Sequence, residues 1–79
     1  MDRNATCIIN FLYEGQERKA NAKPITGAFE NMFHVTMDDG YENTFFTTIE
    51  QPYTWYEEAI GYTELAQAVG RAIEQTFLQ

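Results

Sequence analysis

Nucleophilic catalysis is the first chemistry to consider, because the sequence contains one cysteine and one histidine, Cys7 and His34. A cysteine nucleophile needs a base and an orienting group within hydrogen-bonding reach. These two residues fall on different predicted hairpins. Cys7 alternates in line with Ile9 and Phe11, which is typical of a small buried hydrophobic residue. We therefore predict no nucleophilic site, and we expect His34 to be an ordinary strand residue on the less buried face of a sheet.

Two acidic motifs could also do chemistry, as acid–base carboxylates or as cation ligands. Glu57 and Glu58 are adjacent, and neighbours in sequence point apart on a strand or helix, so we expect a solvated charge pair. The run Asp38-Asp39-Gly40 starts as a calcium loop does, but the later ligands and the closing glutamate are missing. It is more typical of a hairpin turn. The sequence therefore predicts no catalytic residue, no metal site and no cofactor.

The elements that would position these groups begin with a β-hairpin. Apolar side chains alternate with period two near the N-terminus, and the pattern predicts strands over about 7–14 and 17–23. Gly15 supplies the positive φ that a two-residue loop needs. With Gly15-Gln16 as that loop, Phe11 lies opposite Ala20, a large residue against a small one.

A second hairpin is predicted from strands over about 32–37 and 41–49. Its turn allows two registers. A two-residue Asp39-Gly40 loop pairs Phe33 with Phe46, and it places acidic and hydroxyl side chains on the apolar face.

A three-residue loop with Gly40 in the left-handed conformation gives a more apolar sheet face than the two-residue loop does, and we prefer it for that reason. This register places Phe45 and Ile49 on the apolar face with the alternate residues of the preceding strand. It leaves Phe46 on the opposite face together with His34.

The remaining sequence predicts a possible short strand over 53–57, or an irregular packed loop, followed by a helix over about 63–78. Thr63 is suited to cap that helix. Gly70 is unfavourable in a helix interior and suggests a close approach to a neighbour. The helix presents one apolar stripe, which consists of Leu65, Ala66, Val69, Ala72, Ile73 and Phe77.

The predicted fold class is α+β, with an antiparallel β-meander of about four strands and one C-terminal helix packed on one face. A length of 79 residues predicts a single domain over residues 1–79. This order of elements is typical of small bacterial and phage proteins, an analogy of form only.

Charge and cysteine usage restrict the partners and the compartment. Residues 24–79 carry one base and nine acids, a net charge of −8, within a total of −7. Such a surface repels phosphate groups, so we expect no direct binding to nucleic acid or to an anionic membrane. A lone cysteine, with no apolar run that would suit a signal peptide or a membrane span, predicts a cytoplasmic protein.

Aromatic residues are the strongest remaining signal, with six Phe, five Tyr and one Trp in 79 residues. One helix against one sheet face cannot bury all of them, and exposed apolar patches tend to mark partners. We predict an interaction surface formed by Ile8, Leu12, His34, Phe46, Trp55 and Tyr56.

The leading functional hypothesis is a non-enzymatic protein–protein interaction module that self-associates through the sheet face left uncovered by the helix. One alternative is an acidic inhibitor, or nucleic-acid mimic, that binds a basic partner protein. A second alternative is a small enzyme subunit.

Overall fold

A computed structural model describes residues 6–77 and contains six strands and one helix. These elements are β1 (Cys7–Tyr13), β2 (Gln16–Ile25), β3 (Asn31–Met37), β4 (Glu42–Thr47), β5 (Tyr56–Glu57), β6 (Gly61–Tyr62) and α1 (Glu64–Phe77). The strands form one antiparallel sheet in chain order, and α1 packs on one face of it. The predicted α+β meander with one C-terminal helix is confirmed. The sheet exceeds the predicted four strands because β5 and β6 extend it.

The predicted register of the first hairpin is wrong by two residues. Phe11 lies opposite Arg18, and Ala20 lies opposite Ile9. The loop consists of Glu14 and Gly15, with φ values of 53° and 77°. Two successive positive φ values match the right-handed twist of the flanking strands. Since the shift is an even number, every side chain stays on its predicted face.

The preferred register of the second hairpin is confirmed. The Met37 N–H donates to the Tyr41 carbonyl at 2.7 Å, and Gly40 has a φ of 93°. Phe33 therefore lies opposite Phe45, and both are buried on the face under α1.

The end of β4 differs from the prediction, because the strand stops at Thr47 and not near residue 49. The Gln51 N–H donates to the Thr48 carbonyl at 3.2 Å and turns the chain there. Ile49 is consequently 79% exposed and does not join the apolar face.

Helix α1 begins at the predicted cap, where the Thr63 hydroxyl accepts a hydrogen bond from the Ala66 N–H at 2.9 Å. Its apolar stripe faces the sheet, as predicted, and Leu78 lies outside the described residues. Gly70 lies against Trp55, since a Cβ at that position would overlap the indole ring. The close approach predicted from this glycine is confirmed. The core consists of Ile9, Ala20, Ala22, Phe33, Val35, Met37, Phe45, Trp55, Ala66, Val69, Ala72 and Ile73.

Candidate interaction surface

The sheet face that points away from α1 follows from the strand register, because successive side chains alternate between the two faces. We call this surface the open face. One line of cross-strand neighbours crosses it from β2 to β6, and we call this line the aromatic row. The aromatic row consists of Ile25, Met32, Phe46, Tyr56 and Tyr62, each directly opposite the next.

The aromatic row is partly covered by a ring from the connection between β2 and β3. Phe29 stacks on Phe46 with the ring centroids 4.1 Å apart and the planes 16° from parallel. The Tyr56 ring centroid lies 5.7 Å from that of Phe46. Phe29 and Tyr62 are themselves 44% and 64% exposed. The row is therefore ordered by the chain's own contacts and still presents apolar surface to solvent.

The middle of the open face is polar and balanced in charge. Two lysines, Lys19 and Lys23, share it with two glutamates, Glu17 and Glu42. His34 lies among them, with its Nε2 atom 3.4 Å from a Glu42 carboxylate oxygen. The charges of these two lysines and two glutamates cancel.

Edge strand β1 supplies a second apolar region of the open face. Ile8 and Leu12 are 64% and 67% exposed, and both point away from α1. The structure thus brings five of the six residues predicted for an interaction surface onto one face. Those five residues are Ile8, Leu12, His34, Phe46 and Tyr56.

Trp55 does not belong to this surface, so its prediction as an interaction residue is wrong. Its side chain is fully buried between α1 and the sheet, with the Phe33 ring 6.0 Å away. The indole N–H donates to a Glu74 carboxylate oxygen at 2.9 Å, which satisfies its one polar atom. Gln67 holds the Trp55 backbone from both sides, since it accepts from the N–H and donates to the carbonyl.

Glu57 is buried, and the predicted solvated Glu57–Glu58 pair is therefore wrong. The Tyr41 hydroxyl donates to one Glu57 carboxylate oxygen at 2.6 Å, and the Thr63 hydroxyl donates to the other. Since Thr63 also caps α1, the carboxylate joins the start of β4 to the N-terminus of the helix. Only Glu58 is exposed, as predicted for both.

The contact with Glu57 changes the acidity of Tyr41. The hydrogen bond to the carboxylate, together with partial burial, raises the pKa of the Tyr41 hydroxyl above its ordinary value. Both oxygens of Glu57 accept from side chains of the same chain, so the cluster has the features of a structural tie between elements.

The acidic turn between β3 and β4 is tied to the first hairpin. The Arg18 guanidinium donates twice to one Asp38 carboxylate oxygen, at 2.7 and 3.0 Å, and contacts Asp39 at 3.1 Å. This hydrogen bonding lowers the pKa of Asp38 below its usual value. Arg18 thus compensates one of the two negative charges of the turn.

Several residues of the open face were missed by the sequence reasoning. They are Phe29, Ile25, Met32 and Tyr62, of which three lie in strands and continue the period-two pattern. Ile8 and Leu12, on edge strand β1, were found from that same pattern. Phe29 gives no such signal, because it lies in a connection and its stacking on Phe46 is a tertiary contact.

Comparison with family models, with curated proteins and with solved structures finds no match to this chain. Among residues 6–77, no helix has the length and apolar character that crossing a membrane requires. The functional argument therefore depends on the geometry of the open face.

Proposed function

We propose that the protein is a non-enzymatic, cytoplasmic interaction module that self-associates through the open face. The observation that carries this proposal is the aromatic row. Its end residue Tyr62 and its covering ring Phe29 are 64% and 44% exposed, on a face where residues 6–77 place no second layer of helix or sheet. Tyrosine and phenylalanine are enriched at interfaces because they bury large areas with little loss of conformational entropy.

The dimensions of the molecule support a stable contact. Its Cα extents are 30 × 30 × 22 Å, as expected for one sheet with one helix layer. A specific interface needs roughly 800 Å² on each partner, and one broad face of this molecule has about that size. A second copy placed over the aromatic row would set the two sheets face to face, about 10 Å apart, with the side chains of both rows between them.

The charge balance of the open face favours a second copy of the chain over an external basic protein. Two copies of an acidic protein repel each other in general. The open face avoids this repulsion, because Lys19 and Lys23 accompany Glu17 and Glu42 there. A partner recognised through excess acid would instead bind elsewhere on the molecule.

The test compares two tyrosines of similar exposure. Tyr62, which is 64% exposed, lies in the aromatic row, whereas Tyr53, which is 72% exposed, lies in the connection before β5. We expect Tyr62→Asp to halve the mass of the assembly in multi-angle light scattering at micromolar concentration. Tyr53→Asp should leave the mass unchanged.

Two results would overturn the proposal. The first is a wild-type protein that is strictly monomeric across the concentration range, and the second is an equal loss of mass in both tyrosine variants. A salt series distinguishes self-association from the alternative function, that of an acidic inhibitor of a basic protein. Apolar self-association should persist in high salt, while a complex with a basic partner should weaken steeply.

A further inference from the structure

The outer edge of β1 lacks the usual protection of an edge strand. Within residues 6–77, β2 is the sheet partner of β1, and the other side of β1 is free. Natural edge strands are commonly blunted by charges, prolines or bulges. The seven residues of β1, Cys7–Tyr13, contain no charged residue and no proline, and they pair with β2 without interruption. The opposite edge is β6, which has two residues and so offers little backbone for pairing.

The hairpin geometry determines which backbone groups of β1 are available. With Glu14-Gly15 as the loop, Tyr13 and Gln16 form the closing hydrogen-bonded pair of the hairpin. Hydrogen-bonded and non-hydrogen-bonded pairs alternate along antiparallel strands. The N–H and C=O groups of Ile8, Asn10 and Leu12 therefore point outward from the sheet.

The sequence of β1 is self-complementary about its centre. We infer that β1 pairs antiparallel with β1 of a second copy, with the two-fold axis at Asn10. In this register Ile8 lies opposite Leu12 of the second copy on the open face. On the face under α1, Ile9 lies opposite Phe11. Each outward N–H and C=O finds a partner, about six hydrogen bonds in all.

Helix α1 leaves room for this pairing. A groove of about 310 Å³ lies along the edge between β1 and the helix. Phe11 lines it from the β1 side and is only partly buried. On the helix side, Ala68 and Ala72 leave space beside the edge, and Arg71 and Gln75 add polar groups.

Edge pairing goes beyond the proposed function, because it uses backbone groups in the plane of the sheet and not the open face itself. A two-fold axis perpendicular to the sheet places the open faces of both copies on the same side. Two such pairs could then meet through their open faces. With both contacts the assembly contains four copies, and each contact is removed by its own substitution.

Asn10→Glu tests the edge contact, since it opposes two like charges at the axis, whereas in the single chain residue 10 is exposed and lies opposite Lys19. Asn21→Glu is the matched control, because Asn21 is also exposed on the open face but lies on the interior strand β2. Both substitutions are made in a Tyr62→Asp background, which lacks the open-face contact. There we expect Asn10→Glu to convert a dimer into a monomer in light scattering and Asn21→Glu to leave the dimer intact.

Disulfide trapping tests the register. Residues in a hydrogen-bonded antiparallel pair have Cα atoms about 5.5 Å apart, which is within the range that a disulfide spans. In a Cys7→Ser, Tyr62→Asp background, Asn10→Cys should form a covalent dimer under mild oxidation, and Asn21→Cys should not. Edge pairing at Asn10 is overturned if Asn10→Cys cross-links no faster than Asn21→Cys, or if Asn10→Glu leaves the mass of the Tyr62→Asp protein unchanged. Either result leaves the open-face proposal intact, because that proposal depends on Tyr62.

Discussion

The two faces of the sheet are built from the same strands and differ in what covers them. Under α1, Phe33 and Phe45 are 4% and 0% exposed, and Trp55 fills the space between helix and sheet. On the open face, Phe46 is half-buried beneath a single ring, Phe29, which remains 44% exposed. The comparison indicates that one helix provides the core of this fold, and that apolar side chains beyond that core are available for association.

The difference predicts opposite effects of substitution on the two faces. Changes under α1 should lower the free energy of unfolding and leave the surface unaltered. Changes at exposed positions of the aromatic row should alter the proposed assembly and have little effect on the stability of the single chain.

Among substitutions under α1, Trp55→Ala should cause the largest loss in the free energy of unfolding. The side chain is fully buried, and truncation of a buried aromatic residue costs about 3–5 kcal/mol. Tyr62→Ala, on the open face, should change the free energy of unfolding by less than about 0.5 kcal/mol, measured under conditions where the chain is monomeric. Urea denaturation followed by circular dichroism measures both. Equal losses in the two variants would contradict the distinction between the faces.

Gly70→Ala should cost about 3 kcal/mol, although alanine is the better helix former. The added methyl group would overlap the ring of Trp55, which is rigid and enclosed. Gln75→Ala, at an exposed position of the same helix, is the control and should be close to neutral. A stabilised Gly70→Ala protein in the same denaturation experiment would show that Trp55 does not lie against the helix.

Glu57→Gln should lower the free energy of unfolding by about 1–3 kcal/mol. It replaces a carboxylate that accepts from two hydroxyl groups, those of Tyr41 and Thr63, with an amide that has one acceptor oxygen. Its neighbour Glu58 is exposed, so Glu58→Gln should stay within about 0.5 kcal/mol. Thermal unfolding of the two variants checks this contrast, and a null result for Glu57→Gln would argue against the tie between β5 and α1.

The smallest effect concerns the titration of Tyr41. Its folded pKa is raised above the ordinary value of 10.0, mainly by the hydrogen bond to Glu57. A raised folded pKa means that this contact contributes stability below about pH 10 and that the contribution is lost as the pH rises through the folded value. Ultraviolet titration should show one late tyrosine, absent in Tyr41→Phe and shifted towards 10 in Glu57→Gln. A Tyr41 pKa at or below the ordinary value of 10.0 would contradict the contact.

The sequence predicted those features that depend on local patterns. The register of the second hairpin was predicted from the positive φ expected at Gly40 and from the choice of the register with the more apolar face. The close contact at Gly70 followed from the cost of glycine inside a helix. The face assignments of Ile8, Leu12 and Phe46 followed from the two-residue period of strands.

Prediction from the sequence failed where a residue's environment is determined by distant parts of the chain. The positive φ of Glu14 was missed because glutamate is an unusual choice for that position, and the first hairpin register was wrong as a result. Trp55 and Glu57 lie in a segment without a clear period. Their burial depends on Gly70 and Thr63, which are contributed by the helix and its cap. The local patterns identified Gly70 and Thr63, but they could not show which residues these two contact.

The most direct test of the account is an NMR dilution series that follows aromatic ring signals from both faces of the wild-type protein. If copies meet through the open face, the signals of Phe46, Tyr56 and Tyr62 should shift with concentration. The signals of Trp55 and Phe45, enclosed under α1, should not change. Concentration-independent signals from the aromatic row would contradict the central claim, as would shifts of equal size on the two faces.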